Sequence, residues 1–131
     1  MTNPSEWDVV IVDDEPDNVG VLELVLEYQN AKVRVANSGP GCLDLLRERV
    51  PSLLLIDIQM PEMSGDELLR LIRKGERWQR IPAIAITAYA MSEDQARILS
   101  AGFDGYITKP VNAMTFVDEV KTILSSKADA E

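Results

Sequence analysis

The sequence predicts an α/β fold: a doubly wound, five-stranded parallel sheet covered by helices on both faces. Three observations lead there. Short continuous apolar runs recur along the chain, Val9–Val12, Leu53–Ile56 and Ile84–Ile86. Such unalternating runs belong to strands buried on both faces, as in parallel sheets. Segments with a 3.6-residue apolar period fall between them, giving five βα units in a chain of 131 residues, enough for one domain with a real core.

The first strand, Val9–Val12, is followed by a helix in which Val21, Leu24, Val25 and Tyr28 stand at i, i+3, i+4 and i+7. Lys32-Val33-Arg34-Val35-Ala36 alternates and reads as a strand near an edge. Ser38-Gly39-Pro40 starts a helix with Cys42, Leu45 and Leu46 on one face, and Pro51 closes it before the strand Leu53–Ile56. Ser64-Gly65-Asp66-Glu67 is a capping box for a helix with Leu68, Leu71 and Ile72 inward and Gly75 near its end. Pro82 begins the strand that runs through Ile86 to Thr87. Ser92-Glu93-Asp94-Gln95 reads as a second capping box, with Ile98 and Leu99 inward and Gly102 as the stop. Tyr106-Ile107-Thr108 is the fifth strand. Asn112 can cap a last helix whose Phe116, Val120, Ile123 and Leu124 share a face.

Composition removes several classes of function. A net charge of −9 argues against direct nucleic-acid binding, which needs a basic face. The single cysteine, Cys42, excludes an internal disulfide, fits a reducing compartment and reads as a small core residue. No signal peptide and no apolar run of the ~20 residues needed to span a bilayer are present, so a cytoplasmic protein without a membrane partner is expected. With no histidine, neither imidazole catalysis nor His metal ligation is available on this chain.

The strand ends carry the chemistry. Asp13 and Asp14 follow the first strand, Asp57 the third, Thr87 the fourth and Lys109-Pro110 the fifth. Right-handed crossovers bring these ends to one edge of the sheet, where ligands bind in open α/β folds. Two carboxylates ~4 Å apart repel by roughly 4 kcal/mol at an effective dielectric of ~20. A hard divalent cation, Mg²⁺ or Mn²⁺, relieves this, and Mg²⁺ typically takes one or two carboxylates together with a phosphate. Lys109 and Thr87 could engage further phosphoryl oxygens. Asp57 stands alone between the paired acids and the Thr87/Lys109 side, the natural acceptor of a phosphoryl group as an aspartyl phosphate.

The pieces Val12-Asp13-Asp14-Glu15, Asp57-Ile58-Gln59-Met60-Pro61-Glu62-Met63-Ser64-Gly65, Ile84-Ala85-Ile86-Thr87-Ala88, Ala101-Gly102-Phe103-Asp104-Gly105-Tyr106 and Thr108-Lys109-Pro110 resemble the receiver domain of two-component response regulators. The resemblance covers residues 7–125, leaving 126–131 as a short polar tail expected to fray. It implies a flavodoxin-like (βα)5 fold with strand order 2-1-3-4-5. Asp57 would be the phosphoacceptor. Asp14, Asp57 and the backbone carbonyl of Gln59 would bind Mg²⁺ directly, with Asp13 acting through a metal-bound water. Lys109 would pair with the phosphoryl group, Thr87 would turn toward it, and Tyr106 would swing inward as the switch aromatic. The Lys109–Pro110 peptide would be cis, Ala88 is the small residue beside the site, and Gln59 and Tyr89 occupy positions that tune the lifetime of the phosphoryl group. The donor would be a sensor histidine kinase or a histidine phosphotransfer protein. A downstream protein would read the surface of the fourth helix, fifth strand and last helix.

Phosphorylation adds about −1.5 to −2 charge. Driving a switch from about 1:99 to about 99:1 takes about 5.5 kcal/mol, which a few charge-assisted hydrogen bonds of about 1.5–3 kcal/mol can supply. The expected role is a signalling switch that catalyses only transfer to itself and its own hydrolysis. Met1 and the polar end favour a free-standing regulator, and the wording around Asp57 and Thr87 resembles single-domain regulators of the cell-cycle type. A metal-dependent phosphatase is the alternative, but it would want an acid two residues after its nucleophile, where Gln59 stands. An FMN module would want a Ser/Thr/Gly-rich loop where Asp13-Asp14-Glu15 stands. Gly65 and Gly102 read as backbone devices. Trp7 and Trp78 are left as possible partner-facing aromatics.

Overall fold

The computed structural model describes residues 3–88 and 91–130, with the backbone alone described at Ser92 and residues 127–130. Five parallel strands form one sheet in the order β2-β1-β3-β4-β5: β1 Asp8–Val12, β2 Lys32–Ala36, β3 Leu53–Asp57, β4 Ala83–Thr87 and β5 Gly105–Thr108. The helices are α1 Pro16–Tyr28, α2 Gly39–Glu48, α3 Gly65–Arg73, α4 Ser92–Ala101 and α5 Phe116–Ala130. The doubly wound architecture and strand order match the expectation.

The central strands bury both faces, so alternate residues feed two cores. Val10, Val12, Leu54, Ile56, Ala83 and Ala85 pack against α2, α3 and α4. Val9, Ile11, Leu53, Leu55, Ile84 and Ile86 pack against α1 and α5. Each buried Leu or Ile removes apolar surface worth roughly 1.5–3 kcal/mol, and burial on both faces is why β1, β3 and β4 carry no polar alternation.

The helix starts follow local chemistry. Pro16 occupies the first turn of α1, where its missing N–H costs nothing. Ser38 Oγ accepts from Gly41 N–H at the start of α2. The Ser64/Glu67 capping box opens α3 with both reciprocal bonds present. Gly102, at φ 110°, ends α4 in the left-handed conformation. Asn112 Oδ1 accepts from Met114 N–H in the turn leading into α5. The second expected capping box rests on the Ser92 side chain, and the Tyr89 assignment on a residue also outside the described ones; the helix itself begins at Ser92.

Several helix faces differ from the expected stripes. In α1 the buried residues are Val19, Leu22 and Leu26, while Leu24 and Tyr28 are 73% and 85% exposed. Apolar residues lie nearly all round this helix, so periodicity does not choose a face. Leu69 takes the inward place given to Leu71, and Leu99 points outward while Ile98 and Ala101 are buried. Trp7, expected as a possible partner contact, is wholly buried under the α1/α5 side, and Trp78 is half-buried against the other core. The segment 126–130, expected to fray, continues α5 to Ala130, in keeping with the helix propensity of Lys and Ala. Cys42 is core, its thiol pushed up to about 12 by burial and therefore unreactive.

Candidate functional site

Strand register gathers the site. Val12 lies beside both Ala36 and Ile56, Asp57 beside Ile86, and Thr87 beside Thr108. The residues that follow or end these strands, Asp13, Asp14, Asp57, Thr87 and Lys109, therefore share the carboxyl edge of the sheet. Oxygens of Asp13, Asp14 and Asp57 lie within 4.8 Å of one another. Lys109 Nζ stands 3.2 Å from Asp57 Oδ1 and 4.0 Å from Asp13 Oδ2.

The two buried acids are held alike. Glu15 N–H donates to Asp13 Oδ1 at 2.9 Å, and Gln59 N–H donates to Asp57 Oδ1 at 3.2 Å. Each carboxylate thus closes an Asx-type turn onto the backbone two residues on. That leaves Asp13 Oδ2 and Asp57 Oδ2 buried without a hydrogen bond, although Asp13 and Asp57 are only 2% and 1% exposed. Such buried acceptors ordinarily find partners. With the exposed carboxylate of Asp14 close by, these acids make an all-oxygen donor set of the kind a hard divalent cation takes. The residues present fit Mg²⁺ or Mn²⁺.

Electrostatics agree. Burial, and then the neighbouring Asp13 carboxylate, push the Asp57 carboxyl up to about 6; the Lys109 ammonium and the Gln59 N–H oppose that rise without cancelling it. Three acids against one ammonium leave an excess of negative charge, two of the acids being buried.

Thr87 is buried at the end of β4, and its Oγ1 accepts a hydrogen bond from Gln59 Nε2 at 3.3 Å. Tyr106 is half-buried on β5 beside Ala85, on the sheet face that Thr87 also occupies. The Lys109–Pro110 peptide is cis. Ala88 follows Thr87 and is exposed. The bond from the Gln59 side chain to Thr87 is not foreseen in the sequence; no spacing signal marks it, because it joins positions 28 residues apart that only the β3/β4 pairing brings together.

The loop geometry after Asp57 has a local cause. Glu62 adopts a left-handed conformation at φ 68°, reversing the chain so that Gly65 N–H donates back to Ile58 O at 3.0 Å. The start of α3 is thereby pressed against the end of β3, fixing the position of Asp57.

A family model for the response regulator receiver domain matches residues 9–121. An uncharacterised 14.6 kDa protein of Leptolyngbya boryana is 40% identical over 117 residues, covering 89% of both chains. The polar-differentiation response regulator DivK of Brucella ovis is 38% identical over 116 residues, covering 88% of this chain and 94% of that one. Among solved structures, a CheY-like response regulator receiver domain protein of Methanospirillum hungatei superposes with a TM-score of 0.83 at 30% identity, covering 95% of this chain and 98% of that one.

Proposed function

The chain belongs to the response regulator receiver domain family of two-component signalling, and on that premise we propose that it is a phosphorylation-dependent switch with Asp57 as the phosphoacceptor. The observation that carries this reading is the pair of buried carboxylates, Asp13 and Asp57, each with one oxygen tied to its own loop and the other unbonded, beside the Lys109 ammonium. Asp14 and Asp57 would hold Mg²⁺ or Mn²⁺ directly with the Gln59 carbonyl, and Asp13 through a water. Bound there, the cation would offset the acidic cluster and draw charge from a phosphoryl group.

The chain's own residues do the rest. With its carboxyl at about 6, Asp57 is mostly ionised at neutral pH and able to attack. Its carboxylate forms an O–P bond to a phosphohistidine phosphorus as the P–N bond breaks; the imidazole of the donor leaves with the electron pair and takes a proton from solvent. The donor is a sensor histidine kinase or a histidine phosphotransfer protein. Lys109 then exchanges part of its pairing with Asp57 for a phosphoryl oxygen, Thr87 turns toward another, and Tyr106 follows. A downstream protein reads the altered surface of α4, β5 and α5.

This is a cytoplasmic switch, not a metabolic enzyme: it handles only its own acyl phosphate. The amide of Gln59 cannot protonate a leaving group, which disfavours turnover of small phosphate esters. Among the described residues, no helix is long and apolar enough to cross a membrane.

Incubation with acetyl phosphate and Mg²⁺ is expected to add one phosphoryl group per chain by intact mass, and excess chelator to prevent it. Incorporation unaffected by chelator would overturn the role given to the acidic cluster. Lys109→Ala is expected to retain partial phosphorylation while losing the conformational response, because the ammonium that joins Asp57 to β5 is gone. Unchanged affinity of the phosphorylated variant for a downstream partner would contradict that role.

A further inference from the structure

Gln59 touches both ends of the site. Its backbone N–H donates to the Asp57 carboxylate at 3.2 Å, and its side-chain amide reaches across to β4 to donate to Thr87 Oγ1 at 3.3 Å. We infer that the Gln59 side chain is a resting-state latch: it holds the Thr87 hydroxyl in place until phosphorylation of Asp57 disturbs the loop that carries it. The inference rests on the receiver reading above and deepens it.

The chemistry supports a latch over a passive contact. A contact made in one of two conformations favours that conformation by whatever it contributes there and not in the other. At 3.3 Å the bond is already longer than the usual N–H···O range, so a further shift of a few tenths of an ångström by Thr87 breaks it. The Thr87 hydroxyl oxygen is bonded directly to Cβ, so turning it toward a phosphoryl group, by χ1 rotation or by a shift of the backbone, moves the oxygen itself. Converting the Asp57 carboxylate to an acyl phosphate also changes the acceptor that positions the Gln59 N–H. The event that attracts Thr87 thus loosens its restraint. A neutral hydrogen bond of this kind is worth enough to alter a two-state ratio about two- to tenfold.

The test follows amide chemical shifts in β4, β5 and α4 between unphosphorylated wild type and wild type saturated with acetyl phosphate and Mg²⁺. If wild type does not respond, the receiver reading itself fails. Given a response, unphosphorylated Gln59→Leu is expected to lie displaced toward the phosphorylated position, with the minor conformation raised about two- to tenfold. Gln59→Met, unbranched and also without a donor, should do the same. In a Thr87→Ala background neither substitution should add a displacement. Shifts at the wild-type position, a displacement in the opposite sense, or an equal displacement with and without the Thr87 hydroxyl would each overturn the latch.

Discussion

Asp57→Asn is expected to abolish phosphoryl incorporation and at the same time to make the metal-free protein more stable than wild type by about 2–3 kcal/mol at pH 7. Loss of the label follows from removing the proposed nucleophile. The gain in stability follows from the raised Asp57 carboxyl, pushed to about 6 from an ordinary 3.8, first by burial and then by Asp13. A carboxyl raised in the folded state favours folding while it carries its proton. That advantage is complete below pH ~4, fades as pH rises through about 6, and above this the ionised group imposes its full penalty. Asparagine has no charge to bury, and its carbonyl can still accept from Gln59 N–H and Lys109. Its advantage should therefore be largest at pH 7–8 and shrink toward nothing near pH 4. Saturating Mg²⁺ should narrow the gap by stabilising wild type, by about 2.7 kcal/mol at a hundredfold excess over Kd, with little effect on the variant. Thermal or urea unfolding across pH, with and without Mg²⁺, measures this. A variant less stable than wild type at pH 7, or a gain that ignores pH, contradicts the electrostatic account.

The burial that raises the Asp57 carboxyl also makes much of the site legible in sequence. Strands β1, β3 and β4 bury both faces, so they appear as bare apolar runs, and a polar residue at the end of such a run marks the sheet edge without knowledge of the fold. Asp13, Asp57 and Thr87 all stand out for that reason. Packing preferences are less visible. In α1, Leu22 and Leu24 are chemically equivalent, yet one is buried and the other 73% exposed, because α5 and the sheet settle which side turns inward. Leu69 and Leu71 in α3, and Ile98 and Leu99 in α4, pose the same ambiguity over shorter spans. Trp7 lies before the first strand, where no period announces burial. It becomes core because its carbonyl accepts from Lys32 N–H and draws that end of the chain onto the β1/β2 edge. The bond from Gln59 to Thr87 is less legible still, since it depends on side-chain reach across paired strands.

Gly65→Ala is expected to destabilise the protein by about 3 kcal/mol and to slow phosphorylation, whereas Gly20→Ala should stabilise it by about 0.5–1 kcal/mol. The substitution is the same and both glycines lie in helices; the surroundings decide the sign. A Cβ at Gly20, on the exposed side of α1, meets nothing within 4 Å, so alanine contributes its better helix propensity alone. A Cβ at Gly65 would collide with the carbonyl oxygen of Asp57 and lie 2.9 Å from both Ile58 Cα and Ile56 Cγ2. None of these is the free end of a flexible side chain, so the end of β3 or the start of α3 has to move. Moving α3 disturbs Leu68, Leu69 and Ile72 in the core, and moving β3 displaces the Asp57 carboxylate, the proposed acceptor, from Lys109. A displacement of about 1 Å at a reacting group can cost about a hundredfold in rate. Urea denaturation and the rate of labelling by acetyl phosphate measure the two effects together. If Gly65→Ala matched wild type in both, the close packing of α3 onto the strand that carries Asp57 would not be what positions the acceptor.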